Sequence, residues 1–168
     1  TTGGNKYGED YGQARGHNFT VIDVSKTTRP HGQAKCITCK TPDYTVLVNA
    51  EGNEVYTRPF DEVLAGMDPI SCYSCHANTG NELVVTHTYL SDAMGGDLTE
   101  VAPQTLSCGQ CHVEYYFAPS DQSTTLPYTS LASMNFDDML AFYNDGSNFP
   151  NGEMFVDYTN PDTGTKQL

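Results

Sequence analysis

A mainly α fold with extensive loops and little sheet is what this sequence predicts, and three observations carry the prediction. Apolar runs are short, with polar stretches between them. Gly (15) and Pro (9) are plentiful among the 168 residues. The segments with the clearest helical signals, 59–66, 88–94 and 136–144, are all brief. Hydrophobic content is 38%, mean hydropathy is −0.47 and Trp is absent, so a core made of side chains alone is modest. A loop-rich chain of this size needs something further to pack around. The length suits one ordinary domain and no linker is visible, so residues 1–168 are read as a single domain.

The elements follow in order. Residues 1–19 form an extended or turn-rich lead, with Gly3, Gly4, Gly8, Gly12 and Gly16. The apolar run at 20–24 is expected as a strand or buried turn. Residues 46–57 are expected as a small hairpin, with Glu51, Gly52 and Asn53 at its turn. A short helix is predicted over 59–66, with Pro59 near its first turn, Asp61 and Glu62 early, and Gly66 as its stop. A second spans 88–94 and ends at Gly95 and Gly96. Residues 106–117 are predicted helical, closed by Pro119. Asn135 is the expected N-cap for a helix over 136–144, where Phe136, Met139, Leu140 and Tyr143 share one face and Gly146 follows. The tail from Ser147 carries no periodicity.

Charge narrows the function classes. Eight Lys and Arg against 21 Asp and Glu give −13, with a pI near 4.4. Nucleic acid and anionic membrane surfaces are excluded as main partners, and an anionic substrate would need a local positive site. No run approaches the roughly 20 apolar residues of a membrane span. Thr1, Thr2, Gly3 and Gly4 show no charged or apolar leader, so an exported protein would have lost its signal before this point.

All six cysteines fall into three C-x-x-C units, Cys36/Cys39, Cys72/Cys75 and Cys108/Cys111, followed by Lys40, His76 and His112. C-x-x-C-H is the attachment motif for c-type haem: two thiols three positions apart reach the two vinyl groups of one porphyrin edge, and the adjacent His ligates iron. Three other uses compete. Zinc sites take four ligands from two such pairs, which leaves the third pair to be completed by His or Asp. A thioredoxin-like redox pair needs a βαβ context that is not visible. A disulfide framework would rely on bridges between cysteines three apart, an uncommon structural choice. Haem suits the second and third units best, and the predicted fold becomes short helices wrapped around covalent haems. Both intervals between units are 36 residues, but the intervening segments do not resemble one another, so the spacing is incidental.

The first unit departs from the motif at Lys40. Either Cys36/Cys39 attaches nothing and Lys40 is a solvated charge, or Lys40 ligates iron as a neutral amine whose proton the metal has displaced. Electron-transfer haems hold two strong axial ligands, whereas an unusual amine ligand suggests an iron kept open on its other face.

In this order the motifs resemble the cytochrome c nitrite reductases, five-haem enzymes that reduce nitrite to ammonium. The unit at Cys36, Cys39 and Lys40 resembles the family's C-x-x-C-K haem; two C-x-x-C-H units follow; and the stretch from Cys108 and His112 through Glu114, Tyr115, Tyr116 and Phe117 is the most specific match. Asp10, Tyr11, Arg15, Gly16 and His17 resemble the segment that supplies a distal haem ligand, and Arg29 falls where the family keeps its substrate-site Arg. The resemblance covers most of 5–168, loosely after 118. It implies a partial multihaem cytochrome c fold with these roles. Lys40 is the proximal ligand of a catalytic haem; Arg29 supplies charge and hydrogen bonds to nitrite; Tyr115 handles protons or radicals. Glu114 and the backbone carbonyl of Tyr115 ligate calcium. His76 and His112 are proximal ligands of electron-transfer haems, and His17 is a distal one. His31 and His87 are given no role.

The family's two further haem motifs, its distal catalytic His, its other calcium ligands and its dimerising helices have no counterpart here. The chain is therefore expected to be the front portion of such a protein and poorly active alone. The resemblance further implies haem c and calcium as cofactors, nitrite as substrate, a membrane quinol-oxidising cytochrome as electron donor, a homodimer in the full-length protein and a periplasmic or extracytoplasmic location. The alternative reading is a non-catalytic multihaem electron-transfer cytochrome.

Overall fold

Helix begins early in the computed structural model, which describes residues 16–27, 32–78 and 82–145. A 3-10 turn at His17–Phe19 runs directly into α1 (Thr20–Lys26). The run at 20–24 is therefore helical, not a strand or turn. Val24 is buried and Ile22 exposed, and the Ser25 hydroxyl donates to the carbonyl of Ile22 (2.8 Å) three residues back. A run of five apolar-rich residues carries too little periodicity to separate the two states.

The largest correction lies at 46–57. The expected hairpin is replaced by α2 (Pro42–Glu51) and a 3-10 turn at Asn53–Thr57. Pro42 occupies the first turn of α2, and the Thr41 hydroxyl accepts from the Asp43 N–H at 3.2 Å. Gly52 stops the helix. Its φ of 86° and ψ of −169° would cost a residue with a Cβ about 1–3 kcal/mol, and its N–H donates to Val48 O at 2.8 Å. The supposed hairpin turn is a helix terminus. Val46 is 67% exposed while Tyr44 and Thr45 are buried, so the apolar residues gather on no clean stripe.

Further along, α3 (Phe60–Leu64) lies inside the predicted 59–66 and buries Phe60, Val63 and Leu64. Helix α4 (Thr88–Ala93) ends as expected before Gly95 and Gly96, whose φ values are 70° and 81°. The helix predicted over 106–117 is corrected at both ends: α5 spans Pro103–Gly109, and Tyr116–Phe117 form β1, antiparallel to β2 (Thr124–Thr125), with Tyr116 opposite Thr125 and Phe117 opposite Thr124. Aromatic and β-branched residues facing one another across two strands favour this pairing over a continued helix. Helix α6 (Phe136–Asn144) begins as predicted, with Asn135 Oδ1 accepting from Asp138 N–H at 3.0 Å. The tail from Ser147 lies outside the described residues, as does most of the lead.

The described residues are thus mostly helical, in short pieces, with one two-stranded sheet. Two hydrophobic clusters organise them. One joins Val24, Ala34, Ile37, Tyr44, Val55, Tyr56, Phe60, Val63 and Leu64, with Cys36 packed against it. The other joins Tyr89, Leu90, Met94, Leu106, Leu126 and Tyr128. Full burial of a side chain such as Ile37 or Phe60 stabilises by about 1.5–3 kcal/mol. The first cysteine unit therefore rests on the first cluster, and the helix leading into the third unit rests on the second.

Candidate haem centre

Local backbone geometry divides the three units into one and two. In the second, a 3-10 turn at Cys72–Ser74 lets the Cys72 carbonyl accept from both Cys75 N–H (3.1 Å) and His76 N–H (2.9 Å). The third repeats this as the last turn of α5, the Cys108 carbonyl accepting from Cys111 N–H (3.2 Å) and His112 N–H (2.9 Å). In both, the first cysteine and the His are exposed and the second cysteine is half-buried. The first unit differs. It begins inside a 3-10 turn at Ala34–Ile37, Lys40 N–H donates to Ile37 O at 2.8 Å, and Cys36, Cys39 and Lys40 are all half-buried. Its spacer residue Ile37 is fully buried, whereas Tyr73, at the same place in the second unit, is 65% exposed.

Tertiary contacts draw the units together. The Thr20 hydroxyl donates to Lys40 O (2.6 Å) and accepts from Ile70 N–H (3.3 Å), so the first turn of α1 is fastened both to the first unit and to the approach of the second. That anchorage holds His17, whose ring centre lies 6.1 Å from that of His112 with the planes 39° apart. The hairpin after the third unit returns to the first: Thr124 Oγ1 donates to Thr38 Oγ1 (3.2 Å), and Lys35 Nζ donates to Gln122 Oε1 while sitting 4.9 Å over the Phe117 ring. Tyr115, on that return path, packs its half-exposed ring edge-on against Phe117 at 5.5 Å.

Two residues given no role by sequence lie between the first and third units. The Tyr89 hydroxyl donates its one proton to Gln110 O and meets Cys39 Sγ at 3.6 Å. His87, buried beside it, meets Cys111 Sγ at 3.5 Å through Nε2 and the Thr45 hydroxyl at 3.4 Å through Nδ1. Burial lowers the pKa of His87 to about 4, so its ring is neutral at physiological pH. As free thiols the two cysteines split: a hydrogen bond from the Cys111 thiol, helped by the Lys40 charge and opposed by burial, brings Cys39 down to about 7. The same contact, with burial, pushes Cys111 up. A glutamine inside an attachment motif is the one signal by which Gln110 could have been noticed. His87 and Tyr89 lie some 20 residues from the third unit and carry no such mark.

Of the remaining expected site residues, Arg29 lies outside the described residues, as does His31, which is given no role. Glu114 is exposed and accepts a hydrogen bond from the Tyr143 hydroxyl. Among the described residues no group of three or more His, Cys, Asp or Glu is arranged to hold a metal ion by itself.

The profile of the cytochrome c552 family matches residues 3–168. The chain belongs to that family. Membership implies haem c attachment and places the protein in the periplasm or otherwise outside the cytoplasm; among the described residues no helix is long and apolar enough to cross a membrane. Relatives include a cytochrome c-552 of Aliarcobacter butzleri, 31% identical across 83% of this chain, and one of Bacteroides thetaiotaomicron, 31% identical across 84%. The chain spans about a third of the length of these curated relatives, 33% and 32%. Among solved structures, the catalytic subunit of a cytochrome c nitrite reductase from Desulfovibrio desulfuricans, a protein with two calcium sites, is similar over 93% of this chain and 38% of its own, with 25% identity and a TM-score of 0.68. The little-sheet, mostly helical architecture is thus that of part of a multihaem cytochrome c.

Proposed function

We propose that this cytochrome c552 chain is an electron-carrying segment of a multihaem cytochrome, with haem c held at Cys36/Cys39, Cys72/Cys75 and Cys108/Cys111. Haem c, when bound, supplies one-electron iron chemistry. The observation that supports the reading best is the meeting of His17 and His112. An imidazole nitrogen sits about 2 Å from a bound metal and roughly 1 Å from its own ring centre, so two rings flanking one metal have centres about 6 Å apart. The two rings here are 6.1 Å apart although 95 positions separate them. His76 is the corresponding ligand of the second unit. The matching turns at Cys72 and Cys108 hold the two His backbones in the same relation to their cysteines.

The test is the denatured intact mass of the full-length protein beside a pyridine haemochrome spectrum and peptide mapping. Three haems, roughly 0.6 kDa each, on peptides containing these cysteines are expected. Bare peptides would sink the reading. His17→Ala should convert one low-spin haem to high spin in the EPR spectrum, and an unchanged spectrum would remove His17 from the ligand set.

A second reading, ammonia-forming nitrite reduction by the whole protein, is favoured by Lys40 and by the hairpin that carries the Tyr115 segment back to the first unit. In it Lys40 supplies a neutral amine as the proximal ligand and Arg29 offsets the −13 field for an anionic substrate. Tyr115 donates or relays protons. Glu114 and the Tyr115 carbonyl contribute to a calcium site. A membrane quinol-oxidising cytochrome is the proposed donor and a homodimer the proposed assembly. Nitrite turnover to ammonium by the full-length protein tests it. An EPR spectrum that is entirely low-spin and does not respond to nitrite would leave the electron carrier alone standing.

A further inference from the structure

We propose that Gln110 is a positioning residue that locks the second and third attachment units into one fixed arrangement. This rests on the reading of the three units as haem sites. Gln110 is the spacer residue immediately before Cys111, and its side chain is 1% exposed. Its amide nitrogen donates across to Ser74 O at 3.0 Å, and Ser74 occupies the same spacer position in the second unit, immediately before Cys75. The same nitrogen reaches Ser107 O (3.2 Å) and Val84 O (3.4 Å). Its amide oxygen accepts from Thr86 N–H (2.8 Å), Thr86 Oγ1 (3.1 Å) and His87 N–H (3.3 Å). Val84 N–H in turn donates to Cys75 O at 2.9 Å, so the strand of chain that Gln110 grips is itself bonded to the second unit. On the backbone side, Gln110 O takes the Tyr89 hydroxyl that also meets Cys39.

One amide thus joins backbone groups of two haem motifs that lie 36 residues apart. An apolar spacer could fill the same volume, but it would leave the Ser74 carbonyl and the Thr86 and His87 N–H groups buried without these partners. A fully satisfied buried network of this kind fixes geometry more than it adds bulk stability. What Gln110 sets is the relation of one attachment loop to the next, on which any passage of electrons between the sites depends.

The test uses the full-length, haem-loaded protein. Gln110→Met keeps the volume and removes both halves of the amide. Gln110→Glu keeps an acceptor for Thr86 and His87 and removes the donor to Ser74. The readouts are haem count by denatured mass and the circular dichroism couplet in the Soret band, which reports the mutual orientation of neighbouring haems. We expect the wild-type haem count in both variants and a couplet weakened about twofold or more, while Thr86→Val, which loses one hydroxyl contact, stays near wild type. An unchanged couplet in Gln110→Met overturns the proposal, and a native couplet in Gln110→Glu overturns the bridge to the second unit. Loss of haem in both variants, with the native couplet in molecules that keep every haem, also overturns it, since Gln110 would then be ordinary core. Wild-type protein without haem on the second and third units overturns the haem reading itself, a failure visible in the mass alone.

Discussion

The first cysteine unit and the other two share a spacing but sit on the protein in different ways. The second and third close on their own first-cysteine carbonyls and leave His76 and His112 exposed, with the His17 ring 6.1 Å from that of His112. The first is set into a hydrophobic cluster by Ile37 and Ala34, held by Thr20, Thr38 and Lys35, and carries a half-buried Lys where the others carry His. The same C-x-x-C spacing can thus be set into a core or left at the surface. The difference is one of support: the second and third units are held by their own backbone turns, the first by the packing around it.

The sharpest way to break that contrast is Lys40→His, which gives the first unit the sequence of the others. If the first unit is a reaction site, nitrite turnover by the full-length protein should fall at least about 100-fold, and ammonium assay together with loss of any high-spin signal would show it. Retained turnover would mean that Lys40 is not what distinguishes the unit.

Core attachment is tested by the paired spacers. Ile37→Ala should cost about 2–5 kcal/mol, since it opens a cavity in a fully buried position. Tyr73→Ala, at the exposed equivalent, should stay within about 0.5 kcal/mol. Denaturant melts of the two variants would measure the gap directly, and equal losses would erase the distinction.

A smaller effect concerns the residue wedged between the first and third units. His87 is held neutral, with its pKa lowered to about 4 from 6.5, so the unfolded chain binds the extra proton between those values. Its contribution is complete above pH 6.5 and is lost as pH falls towards 4, amounting to about 2 kcal/mol between pH 6.5 and 5. Melts across that range should flatten in His87→Gln. An unchanged slope would mean that other groups dominate the acid limb.

Smallest is the cap of α6, on the exposed side of the molecule. Asn135→Ala should cost about 1 kcal/mol and leave every haem-linked spectrum unchanged.

Several of these elements were legible in the sequence because their signals are local. Asn135 before 136–144, the paired glycines after α4 and the acidic start of α3 each act within one turn, and each sits where expected. Helix α2 was missed because its start signal, Thr41 with Pro42 and Asp43, competed with a run of β-branched residues that shows no apolar stripe. The sequence extends the helix over 106–117 too far because Tyr116 and Phe117 continue an apolar pattern, and their partners Thr124 and Thr125 become visible only once the chain turns back. Of the site, the cysteines and the residues after them announce themselves by spacing, since attachment chemistry needs fixed neighbours in the chain.

What the sequence determined by itself was therefore the set of motifs, the Lys in place of a His and the caps of the short helices. All of these depend on residues within a few positions of one another. Only the tertiary structure decided that His17 faces His112, that the hairpin after the third unit braces the first, and that Gln110 spans two motifs. Those contacts close loops of 36 to 95 residues. No local propensity selects such a partner; it is chosen by the two hydrophobic clusters, whose burial offsets the entropy of closing the loops.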